Sequence, residues 1–394
     1  MSFIQIGFIL IVACIVSILS RWQGLPYSVG LVASGIILAL IKLPMDLVLT
    51  HDLLFNILLP PLIFEAAMQL NWSAFRNNLP VTLTLAFLGV FLAGIVVVLG
   101  MHIIVDWSWF DAILFGTLIV ATDPISVIAT FKEMKVESRL RLLVESESLL
   151  NDGVVAVVFA VLISMSRDGT GFNFDEITLS FLKMIFGGVI TGGLITIGVL
   201  LLSRYAKDQF VEITLTIIAA YGSFLTAEYF HMSGIIASLT AGLIVGNADY
   251  SEFISKTGRD YIAPFWEYIV FLVNSTVFLL IGLHEADRMA QLLSITVIIA
   301  VILVFIGRSV TVYSICALFS GSSLKIDIRH QHILVWGGLR GALPLALALI
   351  IPDSFSEKQN IITATFAVVA FSIFVQGLTM SQLIKILRLK PDSE

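Results

Sequence analysis

Charged residues are scarce in this chain. Asp, Glu, Lys and Arg make up 13% of its 394 residues, whereas hydrophobic residues make up 58%. Soluble domains are about 25% charged, and disordered chains are poor in hydrophobic residues. The net charge of −6 also lacks the basic field that nucleic-acid binding needs. The composition therefore excludes a soluble enzyme, a disordered chain and a nucleic-acid partner, and it predicts a multi-pass membrane protein surrounded by lipid.

Cysteine and catalytic motifs are also lacking. Cys14 and Cys316 lie in apolar runs, where we expect small buried side chains rather than a disulfide or a redox pair. The six histidines form no HExxH motif, and no GxSxG motif surrounds a serine. These absences argue against an enzyme and give no sign of a cofactor.

Continuous apolar runs are abundant instead. A spanning helix needs about 20 mostly apolar residues, and these runs do not alternate as barrel strands do. We therefore predict an all-α protein that keeps its N-terminal run as the first span and has no cytoplasmic regulatory domain. The thirteen predicted spans are residues 3–20, 24–42, 52–70, 79–104, 109–131, 142–165, 181–203, 210–229, 233–247, 262–283, 290–319, 331–351 and 360–386.

The distribution of Lys and Arg predicts the orientation. With the N-terminus outside and the C-terminus in the cytoplasm, fifteen basic residues fall in cytoplasmic loops and five in external loops. Arg308 and Arg340, inside spans, complete the 22. This asymmetry follows the positive-inside rule for a protein of the cell membrane.

Ionisable residues in the middle of a span are costly and indicate function. In the sequence VATDPISVIA, Pro124 removes a backbone hydrogen bond and predicts a break in the fifth helix. Asp123 can compensate the exposed helix ends, and Thr122 adds a hydroxyl. An ordinary proline kink with a capping Asp is the alternative. Acids near span ends, such as Glu145, Glu212 and Glu228, are expected at the interface with water.

The next span begins VESESLLNDGVVAVV. Ser148 and Asp152 share one face of the helix, and Glu147 and Asn151 share another. A buried carboxylate can hold a small cation or a proton, but not comfortably both, because a cation requires the ionised form. This competition is the minimal chemistry of an antiporter.

Glu65 is a further candidate. It lies in an apolar run shortly after Pro60 and Pro61, which should bend or loosen its helix. It either faces the same cavity as Asp152 or is a structural acid near the cytoplasmic end.

The twelfth span, HILVWGGLRGALPLALAL, contains a second predicted break. It is marked by Gly337, Gly338, Gly341 and Pro344 around Arg340. A buried arginine needs an anionic partner. Glu147 is the leading candidate partner, and Arg308 is favoured over Arg340 as the arginine that pairs with it.

The two interrupted spans are seven apart, which predicts internal symmetry. Residues 3–165 and 210–386 would form two inverted six-helix repeats around a linker span at 181–203. In such transporters, interrupted spans at corresponding positions mark the substrate site, where the broken helices cross.

At these residues the sequence resembles the monovalent cation/proton antiporters of the NhaP and sodium/proton-exchanger branch. The matching stretches are LLPPLIFEAA, ATDPISVIA, ESESLLNDGVVAVVF, GIIASLTAGLIVGN, NSTVFLLIGL and WGGLRGALPLALAL. Ser146 stands where the family commonly has glycine. The resemblance implies a thirteen-span, inverted-repeat homodimer with a moving core domain and a dimerisation domain.

The resemblance also implies roles for single residues. Asp152 would bind cation and proton alternately, and Asn151 would mark one-for-one electroneutral exchange. Oxygen ligands of the ion would come from Thr122, Ser148 and Glu65. The implied structural charges are Asp123 at the helix crossing, the pair Glu147 and Arg308, and Arg340 in the second broken helix. Na⁺ is the expected cation, with Li⁺ or K⁺ as alternatives, and a cation channel is a further alternative.

Overall fold

The computed structural model describes residues 3–23, 25–41, 50, 52–168, 174–206, 208–248, 256–286, 294–352 and 354–389. These residues form helices and no β-sheet. The α-helices are α1 (Phe3–Gln23), α2 (Tyr27–Leu40), α3 (Leu59–Gln69), α4 (Trp72–Val105), α5 (Trp109–Leu118), α6 (Ile125–Glu133), α7 (Ser138–Asp168), α8 (Phe174–Ser203), α9 (Gln209–Ile217), α10 (Ser223–Tyr229), α11 (Gly234–Asn247), α12 (Lys256–Ala286), α13 (Ile295–Leu318), α14 (Ile328–Trp336), α15 (Ala342–Ile350), α16 (Lys358–Phe371) and α17 (Leu378–Ile386).

Among the described residues, seven helical segments are long and apolar enough to cross a membrane by themselves. They are Trp72–Val105, Ser138–Ser166, Asp175–Ser203, Gln209–Tyr229, Asp260–His284, Ile295–Leu318 and Lys358–Ile386. Shorter helices occupy the other predicted spans. Two of these spans, 109–131 and 331–351, are each divided between two short helices. The chain is thus an all-helical, multi-pass membrane protein, while thirteen spans in inverted repeats remain a prediction. Four of the basic loop residues counted to predict the orientation lie outside the described residues, namely Lys42, Lys207, Arg288 and Lys390.

Polar caps begin several helices where the apolar runs start. Ser108 accepts a hydrogen bond from the Asp111 amide (3.1 Å) at the start of α5. Asp208 and Ser233 cap α9 and α11 in the same way. Such caps satisfy backbone N–H groups that have no partner within the helix.

Two helices are interrupted at the predicted places. The first break, residues 119–124, separates α5 from α6, so Pro124 lies at its end and directly precedes α6. The second break, residues 337–341, separates α14 from α15. Pro344 falls in the first turn of α15, where a missing N–H costs no helical hydrogen bond.

Within the described parts of the chain, three π-helical turns widen other helices, at Leu53–Leu58, Ile218–Gly222 and Ser372–Gly377. The first ends immediately before Leu59, Pro60 and Pro61, which start α3. The proline pair therefore sits at a junction between two helical geometries, in agreement with the predicted loosening of this helix.

The chain forms two compact units. The first contains Met1–His51, Asn78–Asn151 and Asn274–Glu394, and the second contains Asp52–Asn77 and Asp152–Val273. Valine, isoleucine and leucine side chains from α4, α6, α7, α13 and α14 build the core of the first unit. The core of the second unit packs Phe64 against Trp266, with ring centroids 4.6 Å apart.

Two sequence expectations are wrong in the described residues. Cys316 is buried as predicted, but Cys14 is exposed because it lies on the outer face of α1. Glu212, expected at the interface with water, is only 1% exposed in the first turn of α9. Glu228 has a structural task, because its Oε1 accepts a hydrogen bond from the Gly234 amide (2.8 Å) at the start of α11.

Candidate cation-binding site

Helix α7 brings the polar side chains of the ESESLLND stretch to the first break. Glu147, Ser148 and Asn151 are each 2% exposed, although they lie in a helix rich in apolar residues. Burial of unpartnered polar groups is unfavourable. Their presence in the interior therefore requires hydrogen-bonding partners from other elements.

The backbone of the first break supplies those partners. The Ser148 hydroxyl contacts the Thr122 carbonyl, and the Thr122 hydroxyl donates to Ser148 Oγ at 3.0 Å. Asn151 Nδ2 donates to the Val120 carbonyl at 3.1 Å and to Thr122 Oγ1 at 3.4 Å. Asn151 Oδ1 is buried and accepts no hydrogen bond from the described residues. The first unit thus gathers hydroxyl, carbonyl and amide oxygens at a helix break.

Asp123 joins the two breaks. Its amide donates to the Leu339 carbonyl at 2.8 Å, and its Oδ1 accepts from the Ile125 amide at 2.9 Å. Gly341 lies so close that a Cβ there would collide with the Asp123 carboxylate. Asp123 therefore caps α6 and stands against the backbone that leads into α15.

A buried ion pair braces this region. Arg308 Nη1 and Nη2 donate to the two oxygens of Glu147 at 2.8 and 2.9 Å. Arg308 also donates to the Leu334 carbonyl through Nε (3.1 Å) and Nη2 (3.0 Å). Of the two candidate arginines, Arg308 is the one that forms the described ion pair. Two parallel bonds fix both side chains in one geometry.

Arg340 occupies the second break and is 2% exposed. Its Nη1 donates to the Gly338 carbonyl at 3.1 Å, and its amide donates to Ser372 Oγ at 2.9 Å. Ser372 begins the third π turn. The positive charge thus lies within the break itself, while the absence of a Cβ at Gly338 leaves room for the Arg308 side chain.

Asp152 and Glu65 belong to the second unit. Asp152 is half-buried and follows Asn151 directly in α7. Glu65 is 9% exposed on α3, where Gln69 Nε2 donates to its Oε1. The carbonyl of Pro60 accepts from Ser238 Oγ at 3.1 Å, and Gly242 approaches the Phe64 carbonyl, so α3 is docked closely on α11.

The sequence did not point to several of these partners. Gln69 could have been found, because a residue four positions after Glu65 lies on the same helical face. Ser372 and the carbonyls of Val120, Leu334 and Leu339 carried no signal, because their roles depend on contacts between segments far apart in the chain.

The chain matches known proteins along nearly its whole length. Residues 9–386 match the family described as sodium/hydrogen exchanger, transmembrane. The Na⁺/H⁺ antiporter ApNhaP of Aphanothece halophytica is 37% identical over 97% of this chain and 73% of its own length. NhaH of Halobacillus dabanensis, also a Na⁺/H⁺ antiporter, is 31% identical over 97% of each chain.

Solved structures share the fold. The sodium proton antiporter MjNhaP1 from Methanocaldococcus jannaschii superposes with a TM-score of 0.77 at 18% identity, covering 99% of this chain and 98% of its own.

Proposed function

Because the chain belongs to the sodium/hydrogen exchanger family, a family of transporters rather than enzymes, we propose that it is an antiporter exchanging Na⁺ for H⁺ across the cell membrane. Relatives named as Na⁺/H⁺ antiporters support this choice of cation. The exchange is one for one and therefore electroneutral. Li⁺ and K⁺ are the alternative cations.

The observation that carries the proposal is the set of oxygens at the first break. Thr122, Ser148 and Asn151 present hydroxyl, carbonyl and amide oxygens, and all three side chains are buried. Broken backbone at membrane depth is tolerated where it is buried in protein or lines a cavity. Neutral oxygens can replace the water around a monovalent cation without the charge that a divalent ion requires.

The proposed cycle depends on Asp152. Facing one side of the membrane, the ionised carboxylate binds the cation together with Thr122, Ser148 and Glu65. Facing the other side, it releases the cation and takes up one proton. Because Asn151 is uncharged, one cation is exchanged for one proton and no net charge moves.

The proposed architecture serves this cycle. Thirteen spans form inverted repeats at 3–165 and 210–386, linked by the span at 181–203, with the N-terminus outside. In this proposal the broken helices cross near Asp123, and the hydrogen bond from the Asp123 amide to the Leu339 carbonyl (2.8 Å) supports that assignment. In this proposal, alternating access arises when the core domain, which contains the site, moves against the dimerisation domain. The transporter works as a homodimer in lipid.

A cation channel is the runner-up. A channel needs a continuous polar lining with rings of carbonyls or acids. The described polar cluster is instead concentrated around one pair of breaks and is braced by the Glu147–Arg308 ion pair.

Radioactive Na⁺ uptake into proteoliposomes separates the two functions. In one arm, an outward proton gradient is imposed with no membrane potential. In the other arm, an inside-negative potential is imposed with no pH difference. Li⁺ and K⁺ are compared as competitors across acidic to alkaline pH, and protein-free liposomes are the control.

An electroneutral exchanger accumulates Na⁺ in the first arm and gains nothing from the potential in the second. Uptake driven by the potential alone would contradict the proposal and favour a channel. Stronger competition by K⁺ than by Li⁺ or unlabelled Na⁺ would reassign the substrate to K⁺.

A further inference from the structure

Glu65 and Gln69 form a pair on the last two turns of α3. Gln69 is the final residue of the helix and lies four residues, or about 6 Å along the axis, beyond Glu65. Side chains at this spacing are neighbours on the helix surface. Glu65 is buried, whereas Gln69 is exposed, so the pair leads from an interior acid to the protein surface.

The amide of Gln69 faces the acid with its nitrogen. Nε2 donates to Glu65 Oε1. An ionised carboxylate can only accept hydrogen bonds, so this is the orientation that the pair demands. Fixing one oxygen restricts rotation of the Glu65 side chain and sets the direction in which its carboxylate points.

The backbone under this pair is also held in place. Asn247, the last residue of α11, donates through Nδ2 to the Leu70 carbonyl at 2.8 Å. Its Oδ1 accepts from the Trp72 amide at 2.8 Å. One side chain therefore clamps the corner between α3 and α4. The hydrogen bond from Gln69 therefore ties the Glu65 carboxylate to a helix end that is itself held by Asn247.

We propose that Gln69 is a positioning residue for cation binding, which holds the Glu65 carboxylate in the orientation that the cation meets. The inference rests on the proposed role of Glu65 as a cation ligand. Pre-organised ligands bind more tightly because less side-chain freedom is lost on binding. Gln69 therefore acts on the affinity for the cation and not on the rate of the conformational change.

The decisive variant is Gln69→Met, which keeps the length and shape of the side chain but removes the donor. Its matched control is Gln359→Met, an exposed glutamine in the first turn of α16. Na⁺-driven proton movement is measured in proteoliposomes over a range of Na⁺ concentrations. Size-exclusion chromatography in detergent verifies folding.

We expect the KM for Na⁺ to rise about five- to tenfold in Gln69→Met, with the maximal rate within about twofold of wild type. The control should match wild type. An unchanged KM, or a lower maximal rate at unchanged KM, would overturn the inference, because shape alone would then account for Gln69.

If Gln69→Met does not fold, Gln69→Asn replaces it, because the shorter amide cannot reach Glu65. A raised KM for Na⁺ would again support the inference, and an unchanged KM would again overturn it. The proposed function is judged separately by the wild-type protein. Wild type without exchange would refute that function. Wild-type exchange together with an unaltered Gln69→Met refutes only the role of Gln69.

Discussion

The two helix breaks meet at one hydrogen bond but satisfy their backbones by different chemistry. In the first break, the Val120 carbonyl accepts a hydrogen bond from the uncharged amide of Asn151, and the Thr122 carbonyl accepts one from the hydroxyl of Ser148. In the second break, the Gly338 carbonyl is met by the guanidinium of Arg340. The Leu334 carbonyl, one turn earlier, is likewise met by Arg308.

Under the proposed function, this difference gives the two breaks different tasks. The side-chain donors to the Val120 and Thr122 carbonyls are neutral, so in the proposed mechanism they do not repel a cation that approaches the oxygens of this break. The guanidinium groups beside the second break would repel a cation, and they offset the acids gathered nearby instead. In the proposed mechanism, the first break would therefore bind the cation, and the second would balance the charge of the nearby acids.

The largest effect is expected where the guanidinium chemistry is removed. Arg308→Met leaves the Glu147 carboxylate buried without its ion-pair partner. Loss of one member of a buried pair costs about 3–5 kcal/mol. The apparent melting temperature in detergent should fall sharply. Arg141, whose ion pair with Glu145 is partly exposed, provides the control, since Arg141→Met should cost under about 1 kcal/mol. An equal fall in melting temperature for both variants would show that the buried pair contributes no more to stability than the partly exposed one. The guanidinium chemistry beside the second break would then have no special structural importance.

The next effect tests the close contact between the breaks. Gly341→Ala adds a Cβ that collides with the Asp123 carboxylate, so the backbone of one break must shift. We expect exchange to fall by about tenfold or more, equivalent to about 1.4 kcal/mol. Gly193→Ala in α8 is the control, because the added Cβ would meet no described atom within 4 Å beyond its chain neighbours and the backbone of its own helix. Wild-type exchange by Gly341→Ala would show that the crossing tolerates displacement.

A smaller effect is expected within the first break. Ser148→Ala removes the hydroxyl that joins α7 to Thr122. The loss of these two buried hydrogen bonds, each worth about 1 kcal/mol, should raise the KM for Na⁺ several-fold. Ser164→Ala, on the same helix, removes only a hydroxyl bonded to the Val161 carbonyl (2.8 Å) and should leave the KM unchanged. Equal KM values for the two variants would exclude Ser148 from the cation site.

Local sequence signals predicted where the helices break but not how the breaks are joined. Pro124 and the glycines around Arg340 forecast both interruptions, because they act on their own backbone. The first break nevertheless begins at residue 119, before the proline, because side chains of α7 hold its carbonyls.

Contacts over long distances in the chain were beyond local signals. The bond from Asp123 to the Leu339 carbonyl and the pairing of Ser372 with Arg340 depend on tertiary packing. Charge balance narrowed the partner of Glu147 to two arginines, and only the fold distinguishes Arg308 from Arg340.

The central claim is that Asp152 carries cation and proton in turn. Asp152→Asn keeps the size of the side chain but prevents both ionisation and proton uptake. Acid-loaded everted membrane vesicles report exchange as a rise of internal pH when Na⁺ is added. Asp106→Asn is the control, because Asp106 lies in an exposed turn with a positive φ that asparagine also tolerates. We predict no Na⁺-dependent rise for Asp152→Asn and a normal rise for Asp106→Asn. A normal rise for Asp152→Asn would contradict the mechanism.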